Sequence, residues 1–243
     1  MGRNLSPIDI ARLLSMSTEV RRPELAKLCQ PAMHGLSYER AQQAAPLILG
    51  VDSEDLFGDA SKRTVSDYAN AHTIRVKNES NWVKNLAVMR ALDDFRHRRD
   101  VTARRLSTDF GITGIQIGNR PNARFWIDAL LFIDGRPIIG VLDPRSSIYR
   151  LSDEACEVMF AIIEHFVRTR NFDLSEATSS VLRTKVVDKG KDALGVPYET
   201  REIVTFPSAG GVEWSRDELT REIAQLSFEF DELRAEYERR KSA

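Results

Sequence analysis

The chain has 243 residues, 42% of them hydrophobic and 29% charged, with 35 Lys and Arg against 36 Asp and Glu for a formal net charge of −1. This composition is globular, which excludes wholesale disorder, collagen-like repeats and low-complexity sequence. No run approaches the roughly 18 consecutive apolar residues of a membrane span.

The start, MGRNLSPIDIARLL, has no continuous apolar stretch of signal-peptide type. Two cysteines, Cys29 and Cys156, are too few for a disulfide framework. The expectation is therefore a cytoplasmic protein with reduced thiols. Its charge is uneven: residues 1–127 carry a net of +5 and residues 128–243 a net of −6. The stretch from Lys62 to Arg105 alone carries +6, which is compatible with a nucleic-acid contact or with a solvated, arginine-rich helix.

In chain order, residues 1–77 read as a helical region. Ser6-Pro7 is an N-cap followed by proline in the first turn, with Ile10, Leu13 and Leu14 at helical spacing. Pro23 is expected to open a second helix through Leu28, and Ser37 to cap a third through Ala45. A long helix follows, with an apolar stripe of Trp82, Val83, Leu86, Met89, Leu92 and Phe95. Arg90, Arg96, Arg98 and Arg99 lie near its carboxyl end, where cations suit the helix dipole. Arg96, Arg98, Arg99 and Arg124 are the candidate phosphate contacts to nucleic acid.

Residues 78–206 read as an α/β core. Ile112, Ile115 and Ile117 form a short β-like segment whose glycines match neither a dinucleotide fingerprint nor a P-loop. Two apolar runs then flank Asp134-Gly135, the preferred centre of a two-residue hairpin turn. With that turn, Ile133 faces Arg136. Asp128 then faces Val141, and Arg124, Asp128, Asp143 and Arg145 share one face of the sheet. Ser152 is expected to cap a helix to about Arg170, with strands at Val181–Val187 and Glu199–Phe206.

A carboxylate in a strand apolar on both faces needs a counter-charge or a metal. One reading is a buried ion pair of Asp128 or Asp143 with Arg145. The other is a Mg²⁺ site on Asp128 and Asp143. The order helix, three strands, helix, strand, with Asp128 on one strand and Asp143-Pro144-Arg145 on the next, resembles the PD-(D/E)xK, or restriction-endonuclease-like, nuclease superfamily. Glu79 resembles the further acid of TnsA-type transposon endonucleases.

The resemblance implies a mixed-sheet nuclease core in a mobile element or defence system. Asp128 and Asp143 would hold Mg²⁺ for phosphodiester cleavage of DNA, and Arg145 and Arg124 would hold the phosphate. Lys185 would be a displaced catalytic lysine, since arginine stands at 145 where the family has lysine. The alternative is a non-enzymatic assembly subunit that binds a protein partner or nucleic acid.

Residues 207–243 read as a C-terminal amphipathic helix. Ser215 and Glu218 form a capping pattern, and Leu219, Ile223, Leu226, Phe230, Leu233 and Tyr237 make a seam at alternating spacings of four and three. That seam over residues 215–237 either folds back on the core or serves self-association or partner docking.

Overall fold

A computed structural model describes residues 5–29, 38–50, 65, 79–105, 115–117, 120–123, 129–145, 149–170, 174–210 and 213–242. Helix α1 (Pro7–Leu14) starts where the sequence places it. The Ser6 hydroxyl accepts the Asp9 N–H at 3.2 Å, and the Asp9 carboxylate accepts the Ser6 N–H at 3.3 Å. The two ends of this capping box satisfy donors that the first turn would otherwise leave open.

Helix α2 (Thr18–Cys29) differs from expectation because it runs through Pro23 rather than starting there. Proline removes one intrahelical bond, to the carbonyl of Glu19, and that residue is exposed. Helix α3 (Glu39–Ile48) ends later than expected and runs through Pro46, while the expected cap, Ser37, lies outside the described residues. Its first turn is served by another helix: the Ala41 N–H donates to the buried Asn85 Oδ1 at 2.9 Å.

Asn85 belongs to α4 (Glu79–Arg98), which leads into β1 (Thr102–Arg105). The β1 sequence, Thr-Ala-Arg-Arg, carries no apolar alternation, so pattern reading misses it. Strands β2 (Ile115–Ile117) and β3 (Arg120–Ala123) form a separate antiparallel pair. Strands β4 (Ala129–Ile133) and β5 (Arg136–Asp143) make the expected hairpin, with Ile133 opposite Arg136 and Leu130 opposite Ile139. Asp134 and Gly135 have φ of +52° and +75°, the left-handed pair of a type I′ turn.

Helix α5 (Asp153–Phe166), capped by Ser152, then carries the chain across the sheet, so that β6 (Thr178–Lys191) pairs parallel to β5. Strand β7 (Pro197–Pro207) returns antiparallel, and α6 (Arg216–Ser242) closes the fold.

The result is mixed α/β: a five-stranded sheet in the order β1-β4-β5-β6-β7, between helices on both faces. Ile139, Val141 and Val181 point to α1, α5 and α6, while Leu131, Leu142, Leu182 and Ile203 point to α3 and α4. Each fully buried Leu or Ile contributes roughly 1.5–3 kcal/mol, so covering both faces explains why β4 and β5 read as nearly continuous apolar runs.

The seam of α6 is intramolecular. Leu219, Ile223, Leu226 and Phe230 are all buried in the layer formed with α1, α2 and α5. The Cys29 thiol reaches the Phe230 carbonyl at 3.8 Å. From Leu219 to Phe230 the apolar face of that seam is thus covered within the fold, while Leu233 and Tyr237 are half-buried. No helix among the described residues is long and apolar enough to cross a membrane.

Candidate functional site

In open α/β sheets ligands gather at the carboxyl ends of parallel strands, which here means the ends of β5 and β6. The structure brings two of the sequence-selected residues together there. Asp143 is fully buried, and both of its oxygens are engaged. Oδ1 accepts from the Arg145 Nε at 3.1 Å and from its N–H at 3.2 Å, while Oδ2 accepts the Leu151 N–H at 2.7 Å. Arg145 also donates to Asp9 Oδ1 at 3.3 Å.

One guanidinium thus joins two buried carboxylates from α1 and β5. The Arg145 guanidinium occupies the cation position at Asp143, so this carboxylate does not fit a resident Mg²⁺ as it stands. Among the described residues, no three His, Cys, Asp or Glu side chains gather as a metal site. Asp128 and Arg124 lie outside the described residues.

The neighbouring strand ends are also closed by arginines. Arg183, opposite Asp143 in the register, donates to Asp153 at 2.7 Å and to the Cys156 sulfur at 2.9 Å, and lies over the Phe206 ring at 4.3 Å. Burial pushes the Cys156 thiol up to about 11 despite that donor, so this cysteine is a core group and no nucleophile. Arg201, buried on the other face, donates to the Pro144 carbonyl at 2.6 Å, to Thr184 Oγ1 at 3.0 Å and to the Tyr38 hydroxyl at 2.8 Å, and pairs with Glu199. These are fork-like contacts that hold strands and α3 in place.

The remaining candidates are dispersed. Lys185 pairs with Glu202 at 3.2 Å on the surface. Arg96 donates to the Ile48 carbonyl at 3.1 Å and closes the end of α3. Gly50 follows with φ +93°, where an added Cβ would meet the Arg96 guanidinium at 3.0 Å. Arg98 reaches back to the Asp94 carbonyl at 3.4 Å, and Arg99 pairs with Asp134 of the hairpin turn. Within the basic stretch, Arg96 and Arg99 are thus engaged within the fold. Glu164 pairs with Arg168, and the His165 Nε2 lies 2.7 Å from the Trp214 carbonyl.

A different feature presents unsatisfied apolar surface. Beyond Arg183, the only described strand pairing with β6 is β7, so the β6–β7 hairpin projects past the sheet. Its register shifts by one residue at Val187, which is exposed; such a bulge increases twist and turns a hairpin away from its sheet. The tip is ordered by its own bonds. Asp192 Oδ1 accepts the N–H groups of Leu194 and Val196, each at 2.9 Å, and Gly195 adopts φ +78°. Leu194 at the apex is 88% exposed, and Val196 and Tyr198 are exposed beside it. Tyr198 lies across Gly190, its directly paired residue, and donates to Asp188 at 3.0 Å.

Sequence reasoning placed these strands at Val181–Val187 and Glu199–Phe206, short of their ends at Lys191 and Pro197, and passed over the tip. Its signal was an apolar pair, Leu194 and Val196, inside the polar turn of KDALGVP.

Comparison with protein families gives a match to the model described as the sliding clamp-binding bacterial toxin SocB, over residues 8–208. The chain belongs to the SocB family. Neither curated proteins nor solved structures gave a match. The SocB match spans the whole segment that carried the nuclease resemblance, and it overturns the assignment to the restriction-endonuclease-like superfamily. The hydrolase, magnesium and PD-(D/E)xK expectations are corrected with it. The physical reason for the false resemblance is plain in the geometry: an acid-x-base tripeptide on a buried strand also serves as a structural ion pair, as Asp143 and Arg145 do. The SocB match ends before α6 and includes the whole projecting hairpin.

Proposed function

We propose that this chain acts as a toxin by binding a sliding clamp, and that the β6–β7 hairpin is its docking element. The family description supplies the partner, and the exposed, internally braced apolar tip at Leu194 supplies the surface. Isolated exposed apolar residues are ordinary, but several gathered on a projecting element suit a protein interface. Preorganisation by the Asp192 turn lowers the ordering cost of docking.

Phe228 on α6 is also exposed, but it lies beyond the residues that match the family. The buried acid and arginine centre has a supporting part in this reading: it fixes β5, β6 and α1 so that the hairpin is held rigidly. Hydrogen exchange tests the proposal. Adding purified sliding clamp should slow amide exchange at residues 187–199 and leave the amides of α6 unchanged. Protection of α6 alone would place the interface elsewhere.

A further inference from the structure

Beside the hairpin lies a groove of about 550 Å³, open to solvent, formed where α4 passes β6 and β7. Val83 and Lys84 of α4 make one wall. Lys189, Gly190 and Lys191 make another, with Pro197, Tyr198 and Glu199 completing it. Three ammonium groups therefore edge a groove whose floor is substantially apolar. Among the described residues no carboxylate pairs with Lys84, Lys189 or Lys191, whereas Lys185 nearby is paired with Glu202. The acid that lines the groove, Glu199, is paired with Arg201.

Resting on the clamp-binding reading above, we infer that this groove receives an acidic, partly apolar peptide segment of the partner. Its carboxylates would meet Lys84, Lys189 and Lys191, and an apolar side chain would lie on Val83 and Pro197. Charge complementarity selects an anionic occupant. The apolar wall and a whole-chain charge of −1 favour a peptide over a nucleic-acid backbone, which is held mainly by excess positive charge.

The backbone at Gly190 contributes as well. With no Cβ, it lets the Tyr198 ring lie flat; a Cβ there would come within 3.1 Å of the hydroxyl oxygen and 3.2 Å of the ring. The ring thus covers the face of the hairpin opposite Lys189 and Lys191, which leaves those two lysines on the other face.

The test compares the wild type with a triple charge reversal, Lys84→Glu, Lys189→Glu and Lys191→Glu, and with a triple Lys→Arg variant. Each is checked for an unchanged unfolding midpoint. Three probes are used: purified sliding clamp, a fluorescent peptide of alternating Glu and Leu, and a 20-nucleotide oligothymidine.

The inference expects clamp affinity to fall about tenfold or more on reversal, to be kept by arginine, and to weaken with added salt in the wild type but not in the reversed variant. The peptide should follow the same order. Clamp binding unaffected by reversal but lost in Leu194→Ser would overturn the groove while leaving the clamp-binding reading intact. No clamp binding by the wild type would overturn that reading instead, and the peptide arm would then decide the groove: peptide binding lost on reversal supports it, and no peptide binding sinks it. Oligothymidine bound more tightly than clamp or peptide, and lost on reversal, would reassign the groove to nucleic acid.

Discussion

The Arg145 guanidinium meets the Asp9 carboxylate at 3.3 Å, although the two residues stand 136 positions apart. With Asp143 on its other edge, Arg145 ties the first helix to the end of a central strand. Removing one member leaves buried charge without its partner. Asp143→Asn is therefore expected to cost about 3 kcal/mol, at the low end of such losses because Asp9 still faces Arg145 and the guanidinium is one-fifth exposed. The double variant Asp143→Asn with Arg145→Met should recover none of that loss, because the buried Asp9 carboxylate then loses the same guanidinium. Denaturant unfolding of the single and double variants measures both, and a single variant as stable as the wild type would refute the bridging role.

Arg201 offers a second test of how the strand ends are closed. Lysine keeps the charge but cannot hold Pro144, Thr184 and Tyr38 together from one planar head. Arg201→Lys should lower stability by about 2 kcal/mol, roughly two net hydrogen bonds. Because Tyr38 precedes α3, exchange protection should fall first in Glu39–Ile48. Uniform loss across the chain would count against that local coupling.

The outline of the fold was readable where the local signals were strong. Asp134-Gly135 determined a turn, and the turn determined the register that places Leu130 opposite Ile139. Ser6, Ser152 and Ser215 each cap the helix they announce. The site was harder to read, because Asp143-Pro144-Arg145 has the same letters whether it binds a metal or a guanidinium. What separates the two is Asp9, which arrives from a distant helix. Strand β1 escaped notice because its arginines are tolerated at a sheet edge, where pattern and burial part company. The hairpin tip escaped because apolar residues in a turn look like noise until the turn is seen to project.

The Asp134 turn carries a pH signature. Hydrogen bonding from Arg99 holds the Asp134 carboxyl below its ordinary value of 3.8, so the pair contributes above that value and is lost as pH falls through the lower folded-state value. Asp134→Asn should thus differ from the wild type near pH 5, and the difference should shrink towards pH 2. Gly135→Ala should cost about 1 kcal/mol at every pH, since φ of +75° is strained for alanine. Unfolding midpoints across this range measure both, and a difference that grows with acid would reverse the assignment.

Cys156 should be inert in the native state. With its thiol pushed to about 11, only ~0.1% is thiolate at pH 8, and the sulfur is buried as well. In a Cys29→Ser background, modification by a disulfide-exchange reagent should proceed no faster than unfolding. Fast labelling of the folded variant would show that the layer over Cys156 opens readily.

The central claim, that the projecting hairpin binds a sliding clamp, is tested most directly by calorimetric titration of purified clamp into the wild type and Leu194→Ser. The apex side chain is 88% exposed, so its replacement should leave the unfolding midpoint unchanged. The account predicts saturable binding by the wild type and affinity about tenfold or more weaker in the variant, the range of a truncated interface anchor. Equal affinity in the two proteins, or no heat of binding from the wild type, would contradict it.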